Sequence, residues 1–320
     1  MSEKVILAFD CGGTKCVAGV VTEKGQILKQ IRQKIDITAG SEALLTQMIA
    51  MGSELATAFP SIEAIGVSSA GPLDSERGVL VDPTNFKTNE DFYFEVPIVE
   101  RLKKQFKLPC FLENDAACAI LAEKKYGKAE KFRNAMIITL GTGVGIGTVC
   151  NNELVKGGRN LHPEASHITI NYRDLSAPCG CGNYGCIEAY LSAKNFTQRV
   201  AKKLNIKNLS GEALLERARN GDSAILQEFS EYSELFAAAL HSLCVVYYPE
   251  AVLITGGFSE AASFFLENTK SHLKNFLKRR LKSFPLFPIL EVSALGNDAC
   301  LLGGAVLAID SKNVSASHRK

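Results

Sequence analysis

Cys179, Cys181 and Cys186 stand in one glycine-rich stretch, Cys179-Gly180-Cys181-Gly182-Asn183-Tyr184-Gly185-Cys186-Ile187-Glu188, and His167 lies shortly before it in Glu164-Ala165-Ser166-His167. Three thiolates and one imidazole form the soft donor set that a tetrahedral structural zinc takes. The interleaved glycines let such a loop fold tightly, because glycine reaches backbone angles that other residues avoid. Glu164 and Glu188 bracket the donors, so a metal there would fix two carboxylates near each other. Carboxylates accept hydrogen bonds from neighbouring hydroxyls, which points to a site for hydroxyl-rich molecules. Two plainer readings compete: buried cysteines acting as small apolar residues, and a disulfide. The ten cysteines are scattered over 320 residues, and a charged start, Ser2-Glu3-Lys4, runs straight into an apolar stretch. That pattern suits a reducing cytosol, where clustered cysteines bind metal or do chemistry more often than they cross-link. The Cys-x-Cys spacing differs from the Cys-x-x-Cys of a zinc ribbon, so spacing alone leaves metal and structural readings level.

A second group of residues has the chemistry of an anion site. Gly12, Gly13, Gly141, Gly143 and Gly145 sit in turns where backbone N–H groups can approach a phosphate, and Thr14, Lys15 and Thr142 add side-chain donors. Asp10 closes the preceding apolar run and has the chemistry to hold a magnesium ion, directly or through water. One glycine hairpin is commonplace in any sheet. Two matched turns favour a nucleotide. These glycines lie between two strand-like runs, unlike the strand-to-helix turn of a dinucleotide-binding fold, and the P-loop and protein-kinase signatures are missing.

The elements that must position these residues repeat. Ile6–Val21 reads as strand, glycine turn and strand, followed by the turn Glu23–Gln26 and a third strand at Ile27-Leu28; Ile137–Cys150, the turn at Asn151-Asn152-Glu153 and Leu154-Val155 repeat that layout. Ile65–Pro72 and Val252–Gly257 form a second pair, each a buried-type strand running into a small-residue turn. The expected fold is therefore α/β, with two duplicated lobes flanking a central cleft that the glycine turns line. Helices are expected at Glu42–Ala58, at Ala116–Tyr126 with Gly127 as cap, at Ala213–Arg219 and over Ser223–Tyr248, with a last strand at Leu286–Val292 and a last helix from Asp298 to Ile309. The polar tail, residues 312–320, is expected to be disordered.

Composition excludes several functions. The hydrophobic share of 46% with 22% charged residues is that of an ordinary globular protein. A net charge of +2 gives no broad drive toward nucleic acid or membrane. The basic run from Lys278 to Lys282 reads as a solvated helix face beside Phe276, Leu277 and Leu281. Leu235–Tyr248 is too short to span a bilayer and reads as a buried helix ended by Pro249. A cytoplasmic protein is expected.

Taken together, these pieces resemble the ROK family of sugar kinases and sugar-responsive repressors, within the hexokinase and actin-like ATPase fold with its ribonuclease-H-like lobes. The resemblance runs from Asp10-Cys11-Gly12-Gly13-Thr14-Lys15 to Asn297-Asp298-Ala299 and Gly303-Gly304, and its most specific element is the Cys179–Glu188 stretch, which agrees with the family's Cys-Gly-Cys-Gly-x-x-Gly-Cys-x-Glu motif at each fixed position. The resemblance implies that His167, Cys179, Cys181 and Cys186 hold a structural zinc. It also implies that Glu113-Asn114-Asp115-Ala116 is the catalytic turn. There Asp115 would be the general base for a sugar hydroxyl attacking the γ-phosphate of ATP, with Mg2+ on the phosphates. Read from residue types alone, Asn114 or Asp115 simply caps the following helix. Both hold together, since an acid at a helix N-terminus stays ionised. Sugar contacts carried over from the family are Asn114, Glu164, His167 and Glu188, with Asn85 from the Asp82–Phe86 loop; Gly256 and Gly257 match the family's adenosine-side glycines.

The resemblance further implies a small N-terminal lobe over residues 1–112, joined by the C-terminal helix at about 298–311, and a large lobe over residues 113–297 with the zinc loop and a helical insertion. It is compatible with a homodimer. The chain departs from the family in two places: Pro163 and Ser166 replace glycines around the sugar glutamate, and Ala117 stands where an asparagine is common. The first bears on substrate choice. The leading expectation is an ATP-dependent hexose kinase with glucose as default sugar and N-acetylmannosamine, N-acetylglucosamine, fructose, mannose and allose as alternatives. The alternative from another class is a sugar-sensing regulator. Such a repressor needs a helix-turn-helix segment before the first lobe, and the first strand is expected by Val5.

Overall fold

Near-continuous apolar runs become strands covered on both faces. In the computed structural model, which describes residues 4–13, 15–35, 40–81, 95–284 and 286–317, β1 (Val5–Cys11) and β2 (Lys15–Thr22) are buried along almost their whole length. That is the pattern of strands with a layer on each side. The third strand of this hairpin sheet, β3 (Ile27–Lys34), sets half-buried Ile27 and Ile31 among exposed residues that include Lys29, Gln30, Arg32, Gln33 and Lys34. Charge on an edge strand guards it against pairing with another chain. Helix α1 (Gly40–Ala58) lays Leu44, Leu45, Met48, Met51 and Leu55 onto β1 and β2. The parallel strands β4 (Ile62–Ser69) and β8 (Cys110–Asn114) complete a sheet in the order β3-β2-β1-β4-β8. Between them come a small antiparallel sheet, β5 (Leu73–Asp74), β6 (Val79–Val81) and β7 (Glu95–Val96), and helix α2 (Ile98–Phe106). Helix α3 (Asp115–Tyr126) follows β8, and the last helix, α10 (Ala299–Ser317), returns to pack on α3, β4 and β1.

The second half repeats this plan. Strands β9 (Ala135–Leu140) and β10 (Val144–Cys150) form an antiparallel hairpin, β11 (Glu153–Leu154) sits at its edge, and β12 (Ala251–Thr255) and β13 (Ile289–Val292) add in parallel, giving β11-β10-β9-β12-β13. Both sheets therefore share one strand order, and in each an antiparallel hairpin is followed by two parallel strands, in keeping with the repeated sequence layout. The crossover from the hairpin to β12 is enlarged by α4 (Ile187–Leu191), α5 (Ala193–Lys203), α6 (Gly211–Arg219) and α7 (Ser223–Tyr247). Helices α8 (Ala262–Leu277) and α9 (Arg280–Ser283) lead to β13. An aromatic core of Phe196, Phe229, Tyr232, Phe236, Phe258 and Phe265 binds α5, α7 and α8. Among the described residues no helix is long and apolar enough to cross a membrane.

Chain contacts separate two compact units: residues 1–131, 154–163 and 298–320 in one, and 132–153 with 164–297 in the other. The lobe boundary expected at residue 112 falls inside β8, and α3 packs on α10, so both elements group with the first unit. The last helix continues to Ser317, past the residue 312 at which a disordered tail is expected, because neither Gly nor Pro interrupts residues 305–317. The last strand starts at Ile289 and not Leu286, since Pro288 has no N–H for the ladder.

Candidate active site

Parallel strands put their carboxyl ends on one edge of each sheet, and the candidate residues gather there. In the first unit β1 ends at Asp10 and Cys11, beside Ser68 and Ser69 of β4, and β8 ends at Asn114, beside Ser69. Asn114 caps α3: its Oδ1 accepts the N–H groups of Ala116 (2.9 Å) and Ala117 (3.2 Å). Asp115 opens the helix and its Oδ1 accepts the Ala116 N–H at 2.8 Å. The cap explains the local turn, and it presents Asp115 at the positive end of a helix. Ala117 takes part through its backbone, which an asparagine there would also supply.

Asp10 is the most perturbed acid of this edge. Burial, then repulsion from Asp115, pushes its carboxyl up to about 7, against the pull of Lys15 and Arg32; Asp298 adds to the rise. Arg32 donates to Asp298 Oδ1 at 2.7 Å. A carboxyl raised by burial and by a neighbouring carboxylate marks a deficit of positive charge, which a divalent cation relieves. Gly12 donates its N–H to the Lys15 carbonyl (3.0 Å), closing the turn with Gly13, and Lys15 is exposed. Thr14 and Asn85 lie outside the described residues.

In the second unit the three cysteines and the histidine converge. The donor atoms of His167, Cys179, Cys181 and Cys186 all lie within 4.8 Å of one another. Cys179 Sγ is 3.3 Å from His167 Nδ1, and Cys181 Sγ is 3.8 Å from Cys186 Sγ. A tetrahedron with zinc–sulfur bonds of about 2.3 Å has edges of about 3.8 Å, so the donor set fits zinc. With Nδ1 toward the thiols, the opposite ring nitrogen, Nε2, is the one left for another partner. The loop is knitted by Cys179 N–H to Asn183 O (2.8 Å), Gly182 N–H to Cys179 O (3.1 Å) and Ile187 N–H to Ile168 O (2.9 Å). Gly185 has φ +67°, and a Cβ there would come within 1.9 Å of the Asn171 carbonyl oxygen, so no other residue fits.

Glu164 precedes the 3-10 turn Ala165–His167, and Glu188 stands in the first turn of α4. Loss of water among its neighbours, then repulsion from Glu188, raises the Glu164 carboxyl, and His167 opposes the rise; much of its surface still meets solvent. Glu188 does more than sequence reasoning assigns to it. Its Oε1 accepts from Cys179 Sγ at 3.5 Å, and its Oε2 accepts the Val144 N–H at 3.0 Å in the β9–β10 turn. A Cβ on Gly143 would lie 2.7 Å from that Oε2. The metal loop and the second glycine turn are thus joined through one carboxylate. Gly141 donates to Gly143 O at 3.0 Å, Thr142 is exposed at the tip, and nothing lies within 4 Å of a Cβ built on Gly141 or Gly257. Gly256 ends β12 at φ +88°, and parallel pairing of Thr139 with Thr255 sets both glycine turns on one sheet edge. Ser166 contributes a buried side chain to this loop.

Sequence reasoning also missed a buried contact behind Asn114. Glu113, 3% exposed, accepts from Lys156 and Ser75. Glu113 lies in a motif that could have drawn attention to it, but Lys156 stands far along the chain without one.

The chain matches the ROK family profile over residues 6–311. It is 31% identical to a glucokinase of Streptomyces coelicolor, with 94% of this chain and 96% of that protein covered. Among solved structures it is similar to a ROK hexokinase from Thermus thermophilus, with TM-score 0.80, 27% identity, and 97% and 99% of the two chains covered. A ROK family glucokinase from Streptomyces griseus in complex with glucose and AMPPNP is similar to the same degree, with TM-score 0.80, 27% identity and 96% and 99% coverage.

Proposed function

We propose that this chain, which belongs to the ROK family, is an ATP-dependent hexose kinase with glucose as its default substrate. The observation that carries the reading is Asp115 at the capped start of α3, coupled electrostatically to the buried carboxyl of Asp10. The glucokinase relative and the neighbour that binds glucose and AMPPNP support the sugar and the donor.

In this reading Asp115 accepts the proton of one sugar hydroxyl as that oxygen's lone pair attacks the γ-phosphorus. The bond between γ-phosphorus and the β,γ-bridging oxygen breaks, and ADP leaves with the electron pair. Such a transfer depends on positioning and charge neutralisation more than on covalent chemistry. Asp10 would hold Mg2+, directly or through water, and a bound Mg2+ neutralises phosphate charge. Gly12, Gly13, Thr14, Lys15, Gly141, Thr142 and Gly143 are assigned to the phosphates, and Gly256 and Gly257 to adenosine. Asn114 has Oδ1 committed to the helix cap, which leaves its amide Nδ2 as a donor toward a sugar oxygen. Glu164, Glu188 and His167 Nε2 are assigned to sugar hydroxyls, with Asn85 as a further contact. His167 Nδ1, Cys179, Cys181 and Cys186 would hold a structural zinc, which stiffens the loop that carries those groups.

ADP release with Mg-ATP across hexoses and N-acetylhexosamines, beside Asp115→Asn, tests this. Sugar-dependent turnover that falls by about 10²–10⁴ in the variant is expected for loss of a general base. Sugar binding without turnover for any member of the panel would overturn the kinase reading in favour of a sugar sensor. Because Pro163 stiffens the chain before Glu164 and Ser166 fills space beside it, a sugar other than glucose at the top of the panel would be read as their effect.

A further inference from the structure

The acid of the catalytic turn that the proposed chemistry does not use is Glu113, and it is the better buried of the two: 3% of it meets solvent, against a half-buried Asp115. Its two oxygens face different ways. Oε1 accepts the backbone N–H of Asn114 at 2.8 Å, and Oε2 accepts from Ser75 Oγ at 3.1 Å and from Lys156 Nζ. Lys156 also reaches Ser75 Oγ at 3.4 Å. Both charged side chains are well covered: counted over the side chain alone, 17% of Lys156 and 4% of Glu113 are exposed.

The segment that delivers Lys156 is itself tied down. Residues 154–163 belong to the first unit although both neighbouring stretches of chain belong to the second. Asn160 Nδ2 donates to Glu76 Oε1 at 3.0 Å, so Ser75 and Glu76, adjacent in the turn between β5 and β6, hold Lys156 and Asn160 of this segment. From Lys156 the contacts run without a gap to the reacting end of α3. The ammonium holds Glu113, Glu113 holds the Asn114 peptide, Asn114 caps Ala116 and Ala117, and Asp115 lies inside that capped turn.

We propose that Lys156 is a positioning residue for phosphoryl transfer: paired with the buried Glu113, it fixes the peptide of Asn114 and thereby the direction of the Asp115 carboxylate. This rests on the kinase reading, with Asp115 as base. A buried carboxylate stripped of its cation is strongly disfavoured, whereas replacing both charges by neutral groups is tolerated. A misplacement of about 1 Å in a reacting group can cost about two orders of magnitude in rate.

Three variants test this in the full chain: Lys156→Met, Lys156→Arg, and Lys156→Met combined with Glu113→Gln. Steady-state kinetics with Mg-ATP and the best sugar are expected to show kcat down about 10- to 100-fold in Lys156→Met, with the KM for ATP within about threefold of wild type. Lys156→Arg, which keeps the cation, and the double variant, which removes the stranded charge, should each recover at least half of that loss on a logarithmic scale. Equal kcat in Lys156→Met and wild type overturns the proposal, and so does a double variant no better than Lys156→Met, which would mean that the ammonium acts on substrate directly. If Lys156→Met does not fold, the kcat of Lys156→Arg and of the double variant against wild type decides the matter by the same criteria. A wild-type chain with no sugar-dependent turnover overturns the kinase reading on which the proposal stands, and is told apart by that assay alone.

Discussion

Asp10 is a carboxyl kept where ionisation is unfavourable, and that has a measurable sign. Its folded value of about 7 lies above the ordinary 3.8, mainly through burial and then through Asp115. Between those values the folded chain retains a proton that the unfolded chain has released. Raising pH through that window therefore withdraws stability, by at most about 1.4 kcal/mol per pH unit for one proton, and the loss is complete above it. Urea unfolding of the chelator-treated, nucleotide-free protein from pH 5 to pH 8 should show a steeper decline in wild type than in Asp10→Asn, with the variant the more stable at pH 8. Parallel curves would mean that Asp10 is ionised in the folded chain without a cation. Mg-ATP should protect wild type at pH 8 more than the variant, because a carboxylate holds the cation more tightly than a neutral amide does. Gly143→Ala probes the other unit at the same scale: the added Cβ meets Glu188 Oε2 at 2.7 Å. Displacing that oxygen breaks its bond to the Val144 N–H. The expected outcome is a KM for sugar raised about tenfold or more, in the range of one lost charge-assisted hydrogen bond, and an unchanged KM for sugar would refute the role of Glu188 as a sugar contact.

The metal loop between β11 and α4 has little repetitive structure of its own: two isolated bridges, Thr169 with Cys186 and Pro178 with Tyr184, and a handful of turns. If the four side chains hold the proposed zinc, such an element would draw its order from the ion. One zinc per chain is expected by elemental analysis. Cys181→Ser, which changes the one exposed thiol of the four ligands, should lose the metal and increase amide exchange across residues 164–191, with exchange in the first unit unchanged. A metal-free wild type with the same slow exchange would show that packing alone holds the loop. The convergence of these four side chains was the most legible part of the site, because they stand close in sequence and the family resemblance marks them together. The glycine turns were legible for a similar reason, through their repetition. Lys156, by contrast, meets Glu113 only when residues 154–163 return to the first unit, and no local spacing records that. The bond from Glu188 to Val144 was hidden in the same way, since it joins residues 44 apart.

At the scale of the whole chain, the duplicated sheets were readable from the repeated hairpins; the return of the last helix to the first unit came from the family resemblance, and the return of residues 154–163 came from neither. The first unit's last helix arrives after the entire second unit has been threaded. Helix α10 buries Leu301, Leu302, Val306 and Ile309, together worth about 6–12 kcal/mol at 1.5–3 kcal/mol for each large apolar side chain. That is comparable with the whole stability of a typical domain, about 5–15 kcal/mol, so the first unit depends on the end of the chain. The helix also reaches the turn that holds the proposed base. It packs on α3, whose first residue is Asp115, and the approach is so close that a Cβ on Gly303 would stand 1.9 Å from the Cys118 carbonyl oxygen. Backbone cannot yield as a side-chain tip does, so Gly303→Ala must push the two helices apart. Overpacking of this kind costs about 1–3 kcal/mol. The expected outcome is a lower unfolding midpoint with the zinc content unchanged, because the ligands lie in the second unit, and a kcat reduced more than the KM for sugar, because the base moves while Glu164, His167 and Glu188 do not. Calorimetry, elemental analysis and steady-state kinetics on the one variant check all three. A variant that loses stability yet keeps the wild-type kcat would show that the position of Asp115 is set by its own cap and by Glu113, independently of the helix packed against α3.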